Sequence, residues 1–82
     1  MKPEFVSNPH RQENINGHDI VVERIENYYG FTKYYLHLLS EDGEWPSLRT
    51  LGAHFGTYWD LGGARLLSQN TNRAVLSVAG SD

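Results

Sequence analysis

The chain has 82 residues, no cysteine, seven basic and ten acidic side chains, and a formal charge of -3 at pH 7. That length suits one domain. The missing cysteine excludes a disulfide framework and the cysteine-containing zinc sites, and the acidic balance disfavours a phosphate-backbone binder, which needs a basic face. Lack of cysteine also fits a reducing, cytoplasmic setting. The start, Met1-Lys2-Pro3-Glu4, has no apolar run behind it and does not read as a signal peptide. No window approaches the ~20 apolar residues of a membrane span.

Residues 1–19 are polar, with Phe5 and Val6 as their only adjacent apolar pair, and read as an irregular N-terminal arm with a turn at Asn16-Gly17. The compact α+β domain is expected over residues 20–79. Ile20 to Tyr28 is the first strand candidate. Neither of its faces is cleanly apolar, which suits an edge strand that charges protect from pairing. The run Tyr28-Tyr29-Gly30-Phe31-Thr32-Lys33-Tyr34-Tyr35 reads as a hairpin turning near Gly30 between aromatic legs. In the second strand, Phe31 to Ser40, the face carrying Tyr34, Leu36 and Leu38 is assigned to the core. Lys33, Tyr35, His37 and Leu39 point the other way, with His37 on the surface.

Glu41-Asp42-Gly43-Glu44 is an acidic turn. Ser47 reads as a helix N-cap, with Leu48, Leu51 and Phe55 on one stripe and Gly56 as the stop, so a short helix spans 48–55. Gly52 weakens that helix or allows close packing on the sheet. Gly62-Gly63 closes a loop in which one glycine is expected at positive φ. Ala64 to Ser68 and Arg73 to Val78 form a second hairpin, with a second short helix over 64–69 as the rival. Residues 80–82 are a frayed end. The expected architecture is α+β: a small antiparallel sheet of about four strands, ordered hairpin-helix-hairpin, with one short helix packed on it.

No phosphate loop, compact metal motif or catalytic triad spacing is present, so neither cofactor nor metal is implied. His10 and His18, with Glu13 and Asp19 nearby, match no ligand spacing. His54 and Asp60 could form an acid–base pair, and a small hydrolase using them is an alternative. Leu48 to Gly56 resembles the first helix and turn of a helix-turn-helix unit, but a recognition helix would have to run through Gly62-Gly63. Single-strand nucleic-acid binding on a sheet would require Arg24, Lys33, Arg65 and Arg73 to join in one strip beside exposed rings.

The leading expectation is a non-catalytic protein-binding module. Aromatic residues are 12% of the chain, and tyrosine and tryptophan anchor interfaces. The expected surface is Tyr29, Tyr35, Trp45, Tyr58 and Trp59, rimmed by Glu44 and Asp60, facing a partner with a basic patch. The competing assignment puts Trp45 and Trp59 in the core. A homodimer through the edge strand 20–28 is expected as well. In composition the chain is like small bacterial and phage accessory proteins that bind and block a host factor.

Overall fold

Asn16 and Gly17 both have positive φ, 52° and 85°. Two consecutive left-handed residues are the signature of a type I′ turn, which matches the twist of antiparallel strands. They join Ile15 to His18, which are paired across the turn. The Asn14 carboxamide oxygen accepts from the Gly17 N–H at 3.2 Å, and its amide nitrogen donates to Asp19 at 2.8 Å. A strand therefore runs through the stretch read as an irregular arm. Arg11–Ile15 is β1 and His18–Glu26 is β2.

The computed structural model describes residues 9–26, 32–56 and 59–80. After β2 come β3 (Thr32–Leu39), α1 (Leu48–Phe55), a single 3-10 turn (Leu61–Gly63), β4 (Arg65–Gln69) and β5 (Arg73–Gly80). The five strands form one antiparallel sheet in the order β1-β2-β3-β5-β4. One short helix packs on it, so the fold is α+β. The expected helix boundaries, 48–55, are those observed.

Side-chain alternation explains the core. Ile20 and Val22 pair with Leu38 and Leu36, and Tyr34, Leu36 and Leu38 pair with Val78, Leu76 and Ala74. All of these belong to one buried cluster, which Leu51 and Phe55 of α1 complete. Burying each of the valine, leucine, isoleucine and phenylalanine side chains stabilises the fold by about 1.5–3 kcal/mol. The helix begins because the Ser47 hydroxyl accepts from the Thr50 N–H at 3.1 Å. It ends at Gly56, whose φ of 77° lets its N–H return to the Gly52 carbonyl.

Several local expectations are corrected. β2 lies between β1 and β3, so residues 20–26 are not an edge, and a dimer through that strand has no open edge to use. The mixed pattern of β2 arises because both of its faces carry buried residues. Ile20 and Val22 face α1, and Val21 on the other face is equally covered. Residues 65–69 are a strand, not a second helix. Gly62 and Gly63 have no positive φ; they complete the 3-10 turn, which the Asp60 carboxylate caps by accepting from the Gly63 N–H at 3.1 Å. Gly80 is the last residue of β5, paired with Thr32 and bridged to Trp59, rather than part of a frayed end. The turn expected at Gly30 lies outside the described residues.

Candidate functional site

Trp59, expected on a binding surface, is 5% exposed and sits in the core. Its ring stacks on Tyr34 at 4.6 Å and on Phe55 at 4.5 Å between centroids. The Arg11 guanidinium lies 5.4 Å from the Trp59 centroid and 5.7 Å from that of Phe55. The backbone holds the indole there, because Asp60 N–H donates to the Ala79 carbonyl at 2.9 Å. A residue beyond the helix stop is thus drawn under the sheet edge by its own strand bridge. Trp45 is half-buried and packs against the same cluster.

Tyr35 is half-buried on the opposite face of the sheet, paired with Glu23 and Ser77. The sheet therefore separates Tyr35 from Trp45 and Trp59, and these three do not make one aromatic surface. Tyr29 and Tyr58 lie outside the described residues. Glu44 is exposed, and its N–H donates to Asp42 at 3.0 Å. Asp60 is exposed, and its side chain is engaged in the cap described above.

The acid–base pair read from the sequence is differently arranged. His54 Nε2 is 2.8 Å from Glu13 Oε1, on β1, and Arg11 Nε donates to the other oxygen of Glu13 at 2.8 Å. These contacts hold the Glu13 carboxyl below its ordinary pKa, the His54 hydrogen bond contributing most. The chain Arg11–Glu13–His54 ties the first strand to α1. His37, expected on the surface, is 8% exposed, and its Nε2 is 3.0 Å from Glu23 Oε1. Among the described residues no three histidine, aspartate or glutamate side chains converge as a metal site requires.

The nucleic-acid geometry is split as well. Lys33, Arg65 and Arg73 pair with Ala79, Ser77 and Leu39, which places them on the face away from α1. Arg24 pairs with Tyr34 and faces the other way. After α1, residues 59–64 hold an isolated bridge and the 3-10 turn, with no recognition helix among them.

Two surface features remain. The first is a groove of about 720 Å³ at one end of the sheet, lined in part by His18, Asp19, Leu39, Glu41, Asp42 and Asn72. Asp42 is committed to the fold there. Its carboxylate accepts from the Glu44 N–H at 3.0 Å and from the Ser40 hydroxyl at 2.8 Å, and these bonds lower its pKa. Asn72 ties the β4–β5 turn to the same place, donating from its amide to the Ser40 carbonyl at 3.1 Å and accepting from the Ser40 N–H at 2.9 Å through its own carbonyl.

The second feature is β4. It is an outer strand, and all five of its residues are exposed. Leu66 is 57% exposed and Leu67 50%. The pairing with β5 shifts register between Leu66 and Ser68, so Leu67 is an extra residue with no partner in β5. A bulge of this kind lets two leucines stand in succession at the rim. The other outer strand, β1, has a different character. Its four N-terminal residues are Arg11-Gln12-Glu13-Asn14, and charged side chains blunt an edge. The two leucines were visible in the sequence as one leg of a hairpin, but not as an edge. The signal that could have found them is the Leu-Leu doublet itself, since strict alternation cannot bury both.

No protein-family model matches the chain, and neither a curated protein nor a solved structure shows significant similarity to it.

Proposed function

We propose that the chain is a non-catalytic protein-binding module whose contact surface is the outer edge of β4. The observation that carries this reading is the wholly exposed strand Arg65–Gln69 with Leu66 and Leu67 at its rim. The free side of an outer strand offers backbone N–H and C=O groups to an extended segment of another chain, and side chains at the rim add specificity. Covering the exposed half of each leucine contributes about 1 kcal/mol per side chain. The acidic turn supports the reading from the side. Glu41 and Glu44 are exposed at the end of the sheet to which the β4–β5 turn is tied, and they favour a partner with basic charge at that end.

The test compares capture of partners by the immobilised chain and by Leu66→Asp and Leu67→Asp variants at low salt. Circular dichroism establishes that each variant is folded. A protein retained by the native chain is expected to lose at least about tenfold in affinity, equivalent to about 1.4 kcal/mol, in both variants and to be retained by Tyr35→Ala. Retention unchanged by both aspartates refutes the β4 surface.

A further inference from the structure

We propose that Asn16, in the β1–β2 turn, is a site of spontaneous covalent modification. Its carboxamide nitrogen is lost as ammonia through attack by the Gly17 backbone nitrogen, from an opened form of the turn, with water as the only co-reactant.

A succinimide forms when the backbone nitrogen of the following residue reaches Cγ of an asparagine, and a side chain on that residue stands in the way. Of the asparagines in the chain only Asn16 is followed by glycine; the others precede Pro9, Ile15, Tyr28, Thr71 and Arg73. Asn16 and Gly17 are exposed, and a Cβ at Gly17 would meet nothing within 4 Å. The Asn16 carboxamide takes part in no hydrogen bond among the described residues. Those of Asn14, Asn70 and Asn72 are engaged. Asn14 holds Asp19 and the Gly17 N–H, Asn70 accepts from the Asn72 and Arg73 N–H groups, and Asn72 donates to the Ser40 carbonyl.

The step balances without an oxidant or reductant. Gly17 N forms a bond to Asn16 Cγ, the Cγ–Nδ2 bond breaks, and ammonia leaves with the proton that the Gly17 N–H gives up. One water then opens the ring. Breaking the new N–Cγ bond yields aspartate. Breaking the bond to the main-chain carbonyl carbon yields isoaspartate, with the chain running through Cγ. Either product adds one negative charge.

The closed turn holds the reaction back. Attack requires Cβ of Asn16 and the Gly17 nitrogen to eclipse each other about the Cα–C bond. A type I′ turn sets ψ of its first central residue at about +30°, which places those atoms nearly opposite. The Gly17 N–H also donates to Asn14 Oδ1 at 3.2 Å, and Asn14 is itself tied to Asp19 at 2.8 Å. Reaction therefore passes through local opening of the hairpin, and β1, outer and polar, belongs to the part of a fold that opens most readily. Isoaspartate adds a backbone methylene to a two-residue turn that pairs Ile15 with His18, so the register of β1 on β2 is lost. The new carboxylate stands beside Asp19, at the end of the sheet where Gly17 lines the groove with Glu41 and Asp42.

Trypsin cuts after Arg11 and Arg24, so the peptide 12–24 carries Asn16 with Asn14 as an internal control. The native chain is held in warm, mildly alkaline buffer and mapped by mass spectrometry with electron-transfer fragmentation. Position 16 is expected to convert at least about tenfold faster than Asn14, Asn70 or Asn72, because glycine alone leaves the attacking nitrogen unhindered. The urea-unfolded chain should convert there at least about tenfold faster still, a factor equivalent to about 1.4 kcal/mol of opening free energy. Asn14→Ala, shown to be folded by circular dichroism, should narrow that gap. Asn16→Gly, which keeps a turn of positive φ, should abolish the change in this peptide. The isoaspartyl form, isolated by anion exchange, should exchange the amide hydrogens of β1 at least about tenfold faster than the fresh chain, with those of β3 and β5 unchanged. No conversion at position 16 in the native chain, or faster conversion at another asparagine, overturns the site. Equal rates in native and unfolded chains refute the hold exerted by the turn, and an unchanged gap in Asn14→Ala refutes the part given to Asn14. Unaltered exchange of β1 in the isoaspartyl form refutes the loss of register.

Discussion

Adding one methyl group at Gly80 tests whether Trp59 is locked where the fold places it. Gly80 has no positive φ, so alanine meets no backbone penalty there. The obstacle is steric. A Cβ at residue 80 would overlap Cδ1 of Trp59, with Nε1 at 2.9 Å and Cγ at 3.0 Å. The indole cannot retreat freely, because Tyr34 and Phe55 are stacked on it at 4.6 and 4.5 Å. Forcing an extra carbon into such packing costs about 1–3 kcal/mol. For a domain of this size each kcal/mol lowers Tm by roughly 4–8 °C. Gly80→Ala is therefore expected to melt about 4–24 °C below the native chain. Urea titration followed by far-ultraviolet circular dichroism gives the free energy directly. The Trp59→Ala background supplies the internal check. Removing the indole vacates the space, and the two substitutions should couple by at least about 0.5 kcal/mol. A Gly80→Ala variant within about 0.5 kcal/mol of native, with additive behaviour in the cycle, would show that Trp59 is not held against β5.

Two further predictions follow from local geometry. A Cβ at Gly52, inside α1, would meet only Leu61 Cβ at 4.0 Å, an ordinary contact; Gly52→Ala should stabilise the fold by about 0.5–1 kcal/mol in the same titration, and a loss of stability would show that the helix needs the missing side chain. The Glu13 carboxyl has a folded-state pKa below its ordinary 4.5, first because His54 hydrogen-bonds to it and further because of Arg11. A depressed carboxylate contributes stability that is present above the ordinary pKa and is lost as pH falls through the folded-state value. Glu13→Gln should thus be less stable than native at neutral pH and should flatten the loss of stability below about pH 4.5. The difference should stay under about 1 kcal/mol, because Glu13 and His54 remain 22% and 33% exposed. Identical pH profiles for variant and native chains would remove the latch between β1 and α1.

Much of the architecture was decided by short-range chemistry, and that part is readable from the residues. Ser47, the spacing of Leu51 and Phe55, and Gly56 define α1 because capping, stripe and stop all act within one or two turns of the same helix. The alternation in β3 separates Tyr34, Leu36 and Leu38 from Tyr35 because strand geometry has period two. Asn16-Gly17 makes a turn for the same kind of local reason, since both residues tolerate positive φ. What the polar residues before that turn do is not local. Arg11-Gln12-Glu13-Asn14 has no apolar alternation, and it becomes a strand because β2 supplies a ladder and Trp59, Phe55 and His54 supply a bed for Arg11 and Glu13. With β1 in place β2 ceases to be an edge, and β4 becomes the apolar one. The fate of the tryptophans is equally non-local. Nothing in the sequence around Trp59 distinguishes an exposed ring from a buried one, and the choice is made by Gly80, twenty-one positions away, whose missing side chain leaves the space the indole fills. Local propensity acts through bonded neighbours and so leaves its mark in the residue pattern, whereas edge status and ring burial depend on which distant segments arrive at the same place.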